Sequence, residues 1–324
     1  SGSSGSSGTS PNLSLSGVIT TGSFGNSQTI KGNLIITGSI WNNGGDGQSN
    51  NNLAYGQDAL KSAINVPGGG YNNTAIGYNA LYYNVTGSTN TAIGANSQLN
   101  NISGSFNLAI GDNTLRNNKS SQNVAIGSAV LYSNTIGQQN MAIGANAMFS
   151  NDSGSYNLAI GASALQNSVG ANNNLAIGAS AGQSLTTGEN NTIIGASALS
   201  QATTSNGSVA IGRDNSYHTT TGYNNFSIGK SALYNNQTGS NNVAIGYAAG
   251  NSSNPSTGNN IFIGYGAGTN STTGNQVIMI GSGSQPSSAA AGNELVIGTL
   301  NVTGKGGSTG FINPNGGGIY QRSE

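Results

Sequence analysis

The sequence has no cysteine, one histidine and one tryptophan, and only 16 of its 324 residues are charged, eight of each sign. The absence of cysteine excludes disulfides and thiolate metal sites but leaves the compartment open, because many secreted fibres also lack it. With a formal net charge of zero there is no basic face to neutralise a phosphate backbone, so nucleic acid is not an expected partner. No apolar run approaches the roughly 20 residues that a spanning helix needs, so membrane insertion is not expected. Nothing at the amino end has the order of a signal peptide, so any export signal would lie outside this chain or export would take another route.

Glycine, asparagine, serine and threonine dominate instead. Such a composition alone suits a disordered tract, but periodicity argues otherwise. An Ile-Gly pair recurs with isoleucine at Ile76, Ile93, Ile110, Ile126, Ile143, Ile160, Ile177, Ile194, Ile211, Ile228, Ile245, Ile263, Ile280 and Ile297. The spacing is 17 residues, with one gap of 16 and one of 18, and an outlying LAYG copy ends at Gly56. Aligned on that glycine, the unit reads roughly N-x-A-I-G-x-x-A-L-x-N-x-x-x-G-x-N. A fixed period this short belongs to a solenoid, and one rich in Gly and Asn is built from short strands, not helices.

The expected fold is therefore all-β, a parallel β-solenoid or β-roll of about 15 coils with a 17-residue repeat. At about 4.8 Å per coil the stack would run roughly 70 Å. Residues 1–10 read as linker or tag, 11–50 as a short β segment, 51–300 as the array and 301–324 as a glycine-rich exit. Within each strand the isoleucine and the residue two before it share one side, which is expected to face the core. The small residue between them, Ala in nine of 14 coils, shares the other side with the glycine. That bare side is expected to admit another layer of backbone. A second apolar pair after the glycine, such as Ala80-Leu81 and Ala164-Leu165, reads as the return strand. Pro67, Pro255 and Pro286 all fall between Ile-Gly strands, where they cost no ladder hydrogen bond. So few aliphatics per coil leave a lone roll marginal against its chain entropy, which calls for a homotrimer.

The repeats NTAIGYNAL from Asn73 and NNVAIGYAAG from Asn241 resemble the head repeats of trimeric autotransporter adhesins. They resemble still more closely the arrays of phage tail fibres and virion-surface proteins, and the likeness covers residues 52 to 298. The resemblance implies a trimeric β-roll on a virion or cell surface that mediates host attachment. A bacterial adhesin head and a stand-alone carbohydrate- or ice-binding module are the alternatives; the handedness of the coil stays open.

No catalytic, cofactor or metal residues are expected. A glycoside hydrolase needs two carboxylates about 5–9.5 Å apart, and the acids here are scattered. Asp58 and Asp214 share a register but stand nine coils apart, roughly 40 Å. His218, alone in a turn beside Tyr217, reads as solvated. Tyr82, Tyr132 and Tyr234 all stand five residues after their glycine and are the candidate glycan contacts, the competing reading being an aromatic ladder that closes the core. Threonines read as clustered in turns without a common register, against an ice-binding ladder.

Overall fold

The computed structural model describes residues 51–62, 69–252, 258–290, 292–298, 303–304 and the backbone of 310–313. The expected linker at 1–10, the β segment at 11–50, and Pro67 and Pro255 lie outside the described residues. Among the described residues, sixteen short strands, from β1 (Leu53–Tyr55) to β16 (Gly310–Asn313), form one parallel sheet in sequence order. Like pairs with like throughout, Ala75 beside Ala92 and Ile76 beside Ile93, so the 17-residue period sets the register. The fold is the β-solenoid the period implies, extended by one strand in the exit segment.

The facing of the strands is the reverse of the expectation. The middle residue of each motif strand points inward, and Ala75, Ala92, Ala109, Ala125, Ala142, Ala159 and Ala176 are fully buried. The isoleucines and their partners two residues earlier face outward, mostly half-buried by the rungs above and below. Width explains this. The lumen is shared with the layer that follows the glycine, and Leu81, Leu115, Leu131 and Leu165 of that layer already fill it. Opposite a leucine, only alanine fits.

Exceptions obey the same rule. Where that leucine is replaced by Gly182, the neighbouring inward strand residue is Ile193, and a Cβ on Gly182 would come within 2.8 Å of its Cδ1. Where Gly250 replaces it, Phe262 fills the gap, 2.6 Å from the position a Cβ would take. Core volume is conserved while its source moves from one wall to the other.

The return layer is not a strand either. It is a run of four-residue turns, with amides of Ala80, Tyr82 and Asn84 donating to the carbonyls of Gly77, Asn79 and Leu81 at 3.3, 3.3 and 3.1 Å. The third residue of each of the first two turns has positive φ, Asn79 at 55° and Leu81 at 51°. A leucine held there costs about 1–2 kcal/mol, and burying its side chain contributes about 1.5–3, so burial wins. The motif glycine itself lies at φ 121–136°, out of reach of other residues, and a Cβ on Gly178 would sit 2.6 Å from the next coil's Gly195. The close approach that the bare side allows is thus between successive coils of one chain.

A ladder of buried asparagines ties the coils together. The residue four before the glycine accepts, through Oδ1, the backbone N–H of its counterpart one coil on: Asn90 donates to Asn73 at 2.9 Å, Asn157 to Asn140 at 3.0 Å and Asn174 to Asn157 at 2.9 Å. Its Nδ2 donates to the next turn, Asn90 to Gly104 O at 2.8 Å and Asn157 to Ala171 O at 2.7 Å. Ser208 stands in for asparagine on one rung and keeps the chain of bonds. Both ends of a buried amide are thereby satisfied, which is what makes burying it tolerable.

Candidate functional site

Four surfaces of the solenoid carry the candidate contact residues. The first is the outer face of the sheet. Isoleucine stacks on isoleucine from Ile76 to Ile297 except where Tyr55 begins the column, flanked by Thr, Leu, Val, Met, Phe or Ile from the position two earlier. No charged residue occurs in either column, and Met141, Phe226 and Ile245 are exposed outright. The isoleucine ladder therefore exists, but outside the roll.

The second surface is the edge five residues after the glycine. Tyr82, Tyr132 and Tyr234 do share this column, but in three separate clusters. Tyr82 meets Tyr83 edge-on at 4.5 Å under the ammonium of Lys61. Its hydrogen bond to Asp58, aided by the Tyr82 phenol, holds Lys61 above the ordinary lysine pKa. Tyr132 stacks on Phe149 at 5.0 Å and accepts a hydrogen bond from Arg116 at 3.1 Å. Tyr234 stacks on Tyr217 at 5.4 Å. All three tyrosines are half-buried and belong to none of the core clusters, so they do not close the lumen. Each is instead engaged by its own neighbours, Tyr82 by Tyr83, Tyr132 by Phe149 and Tyr234 by Tyr217 and His218. His218 differs from the solvated reading: it is half-buried, edge-on to Tyr217 and Tyr234, with Nδ1 2.9 Å from Gln201 Oε1.

Beside this edge, on the coils nearer the amino end, runs an open groove of about 660 Å³, lined by Tyr83, Val85, Ile102, Asn100, Asn117 and Lys119 among others. Further along, threonines do take a common register. The hydroxyls of Thr186, Thr203 and Thr220 donate to the carbonyls of Thr203, Thr220 and Gln237 at 3.0, 3.3 and 3.1 Å. The next residue of each coil, Thr187, Thr204, Thr221 and Thr238, is exposed. This is a single file of free hydroxyls, not the two-dimensional array that would match an ice plane.

The last surface was not picked out by sequence reasoning. It is the corner five and six residues before the glycine, where Tyr71, Phe106, Tyr156 and Tyr223 are exposed between asparagines and glutamines. A polar groove of about 790 Å³ opens there between Tyr223 and Asn293. The signal was present in the sequence, since aromatics recur just ahead of the motif asparagine, but only the backbone shows that they project.

The acids are dispersed, as their spacing implies. Asp58 pairs with Lys61 at 3.0 Å, Asp214 with Arg213 at 2.9 Å, Glu189 accepts from Asn172 at 2.8 Å, and Glu294 is buried against the Ser287 amide at 2.9 Å. Among the described residues, no three His, Asp or Glu side chains converge as a metal site. No protein-family model matches the chain, and no curated protein is similar enough to count as a relative.

Proposed function

We propose that this chain is a segment of a homotrimeric fibre of a virion surface, a phage tail fibre or its equivalent, that mediates attachment to a host cell. One observation carries the reading: an uncharged, mostly aliphatic strip, two side chains wide, runs up the outer face of the sheet from coil to coil. Soluble monomers rarely present a long contiguous apolar surface, and partner chains are the usual cover. The isoleucine face is the contact between chains, because the alanines of the bare side are used up inside the roll. A trimer, in keeping with the resemblance of the N-x-A-I-G repeats to trimeric fibres and adhesins, seats three such strips around one axis.

A structural and binding role also fits the chemistry. The described acids sit apart, Glu294 buried and the others at the surface, each with a local partner, and amides and hydroxyls dominate the surface. A bacterial adhesin head would use the same faces. The downstream coding sequence separates the two, a self-cleaving chaperone marking a viral fibre and a membrane β-barrel an adhesin. Attachment itself is tested by adding the labelled protein to intact cells: saturable binding, competed by unlabelled protein, is expected on a subset of strains. Uniformly weak, unsaturable binding to every strain would overturn it.

A further inference from the structure

Each coil places one residue at positive φ five positions before its glycine, at the corner leading into the strand. Asparagine fills most of these positions, including Asn72, Asn173, Asn190, Asn241 and Asn259, as expected of a side chain that tolerates the left-handed region. Thr89, Gln122, Gln139 and Gln276 depart from that rule, and the bulkiest departures are Phe106, at φ 59°, and Tyr156, at φ 61°. A bulky aromatic is among the residues least suited to this conformation. Nor does packing recover the cost, because Phe106 is 62% exposed and Tyr156 58% exposed. Asparagine at either position would fold more easily. Strain held at the surface without a packing return points to a contact outside the chain.

The same corner supplies what such a contact would need. At its carboxyl-terminal end the groove is walled by Tyr223 and lined by the amides of Asn241, Asn259, Gln276 and Asn293. These four side chains are exposed and make no side-chain hydrogen bond among the described residues. Backbone bonds of Asn241, Asn259 and Asn293 to the preceding coil, all 3.0 Å, set them in file at the coil rise of about 4.8 Å. The hydroxyl of Thr238 adds to the wall, and no acid or base lines the groove.

We propose that this corner binds a neutral polysaccharide laid along the solenoid axis. Phe106, Tyr156 and Tyr223 would stack on sugar faces, and the free amides would hydrogen-bond ring hydroxyls. Side-chain amides both donate and accept, as a hydroxyl pair requires, and aromatic rings cover the apolar C–H face of a pyranose. The groove holds no charge, and the one charge elsewhere on this corner is Glu189, at the register of Tyr223, so an acidic glycan would gain nothing there. The proposal rests on the attachment reading and deepens it by naming the ligand class. It also shifts the contact away from Tyr82, Tyr132 and Tyr234, whose rings pack against their own neighbours.

The test uses the full chain on immobilised mannan, galactan and dextran as neutral probes, with alginate and heparin as acidic ones. The wild type should hold at least one neutral probe with little dependence on salt, since no ion pair is involved. The triple variant Phe106→Asn, Tyr156→Asn, Tyr223→Asn should bind it at least roughly tenfold more weakly, in line with loss of several aromatic contacts, while melting at or above the wild-type temperature. Tyr82→Ser with Tyr132→Ser and Tyr234→Ser should leave binding intact. Binding to acidic probes alone, to none, or undiminished in the corner variant would overturn the proposal. Cell attachment measured on the same variants distinguishes the readings: a corner variant that still attaches to cells sinks the glycan corner and leaves the fibre standing.

Discussion

Ala159 and Ile160 are adjacent in one strand and meet opposite surroundings: the alanine is fully buried in the lumen, and the isoleucine lies half-exposed on the outer face. The larger aliphatic is thus the outer one. In a globular core the reverse is the safer guess, because burying a large side chain contributes more. A solenoid this narrow has two walls that must share a fixed volume, and Leu165 on the turn wall already supplies the bulk. The contrast teaches that in a thin roll, inside and outside are set by the room left between the walls and not by residue size.

The sharpest way to break this comparison is a charge on each side. Ala159→Asp buries a carboxylate with no partner, and should cost several kcal/mol and open the stack locally. Because coils touch only their neighbours, limited proteolysis should then cut near the middle and leave two resistant halves. Ile160→Asp should leave the coil itself folded and act on contacts between chains. Asn167→Asp, exposed on the same coil, is the control and should fall within about 0.5 kcal/mol of wild type.

Asparagine 157 probes the bonding between coils rather than their filling. Asn157→Ala removes the acceptor of the Asn174 amide and the donor to Ala171 O. Two buried groups orphaned at about 1–3 kcal/mol each predict a loss of about 2–6 kcal/mol in chemical denaturation. A loss below about 1 kcal/mol would mean that water reaches the ladder.

A smaller effect tests the shared volume directly. Gly182→Leu overfills the coil against Ile193, and Ile193→Ala hollows it, so each alone should destabilise by about 1–4 kcal/mol. Together they restore the arrangement of the other coils, and the double variant should recover most of that loss. Additive losses would contradict the exchange of volume between walls.

Much of this architecture was legible in the sequence, and what was not has a physical reason. The glycine period gave parallel stacking and register, since a coil length fixed at 17 residues puts like on like. Alternation revealed that Ile160 and Leu158 share a side, but not which side is inside, because that depends on the opposite wall. The return layer was misread as a strand because Leu81 and Leu165 sit at positive φ, where propensity would not place a leucine. The asparagine ladder was visible as a repeated letter, but its role shows only in the structure, where the Oδ1 atoms of Asn73 and Asn157 accept from the next rung. Of the candidate contacts, the column of Tyr82, Tyr132 and Tyr234 was found and the corner of Phe106 and Tyr156 was missed, since exposure cannot be read from spacing.

The outward isoleucine face is tested most directly by mass in native buffer, wild type beside the triple variant Ile143→Asp, Ile160→Asp, Ile177→Asp. Three copies of the 32.1 kDa chain are expected for the wild type, and a single folded chain with an unchanged β signature for the variant. A monomeric wild type, or a variant that unfolds while the wild type is trimeric, would contradict an outer isoleucine face that joins chains.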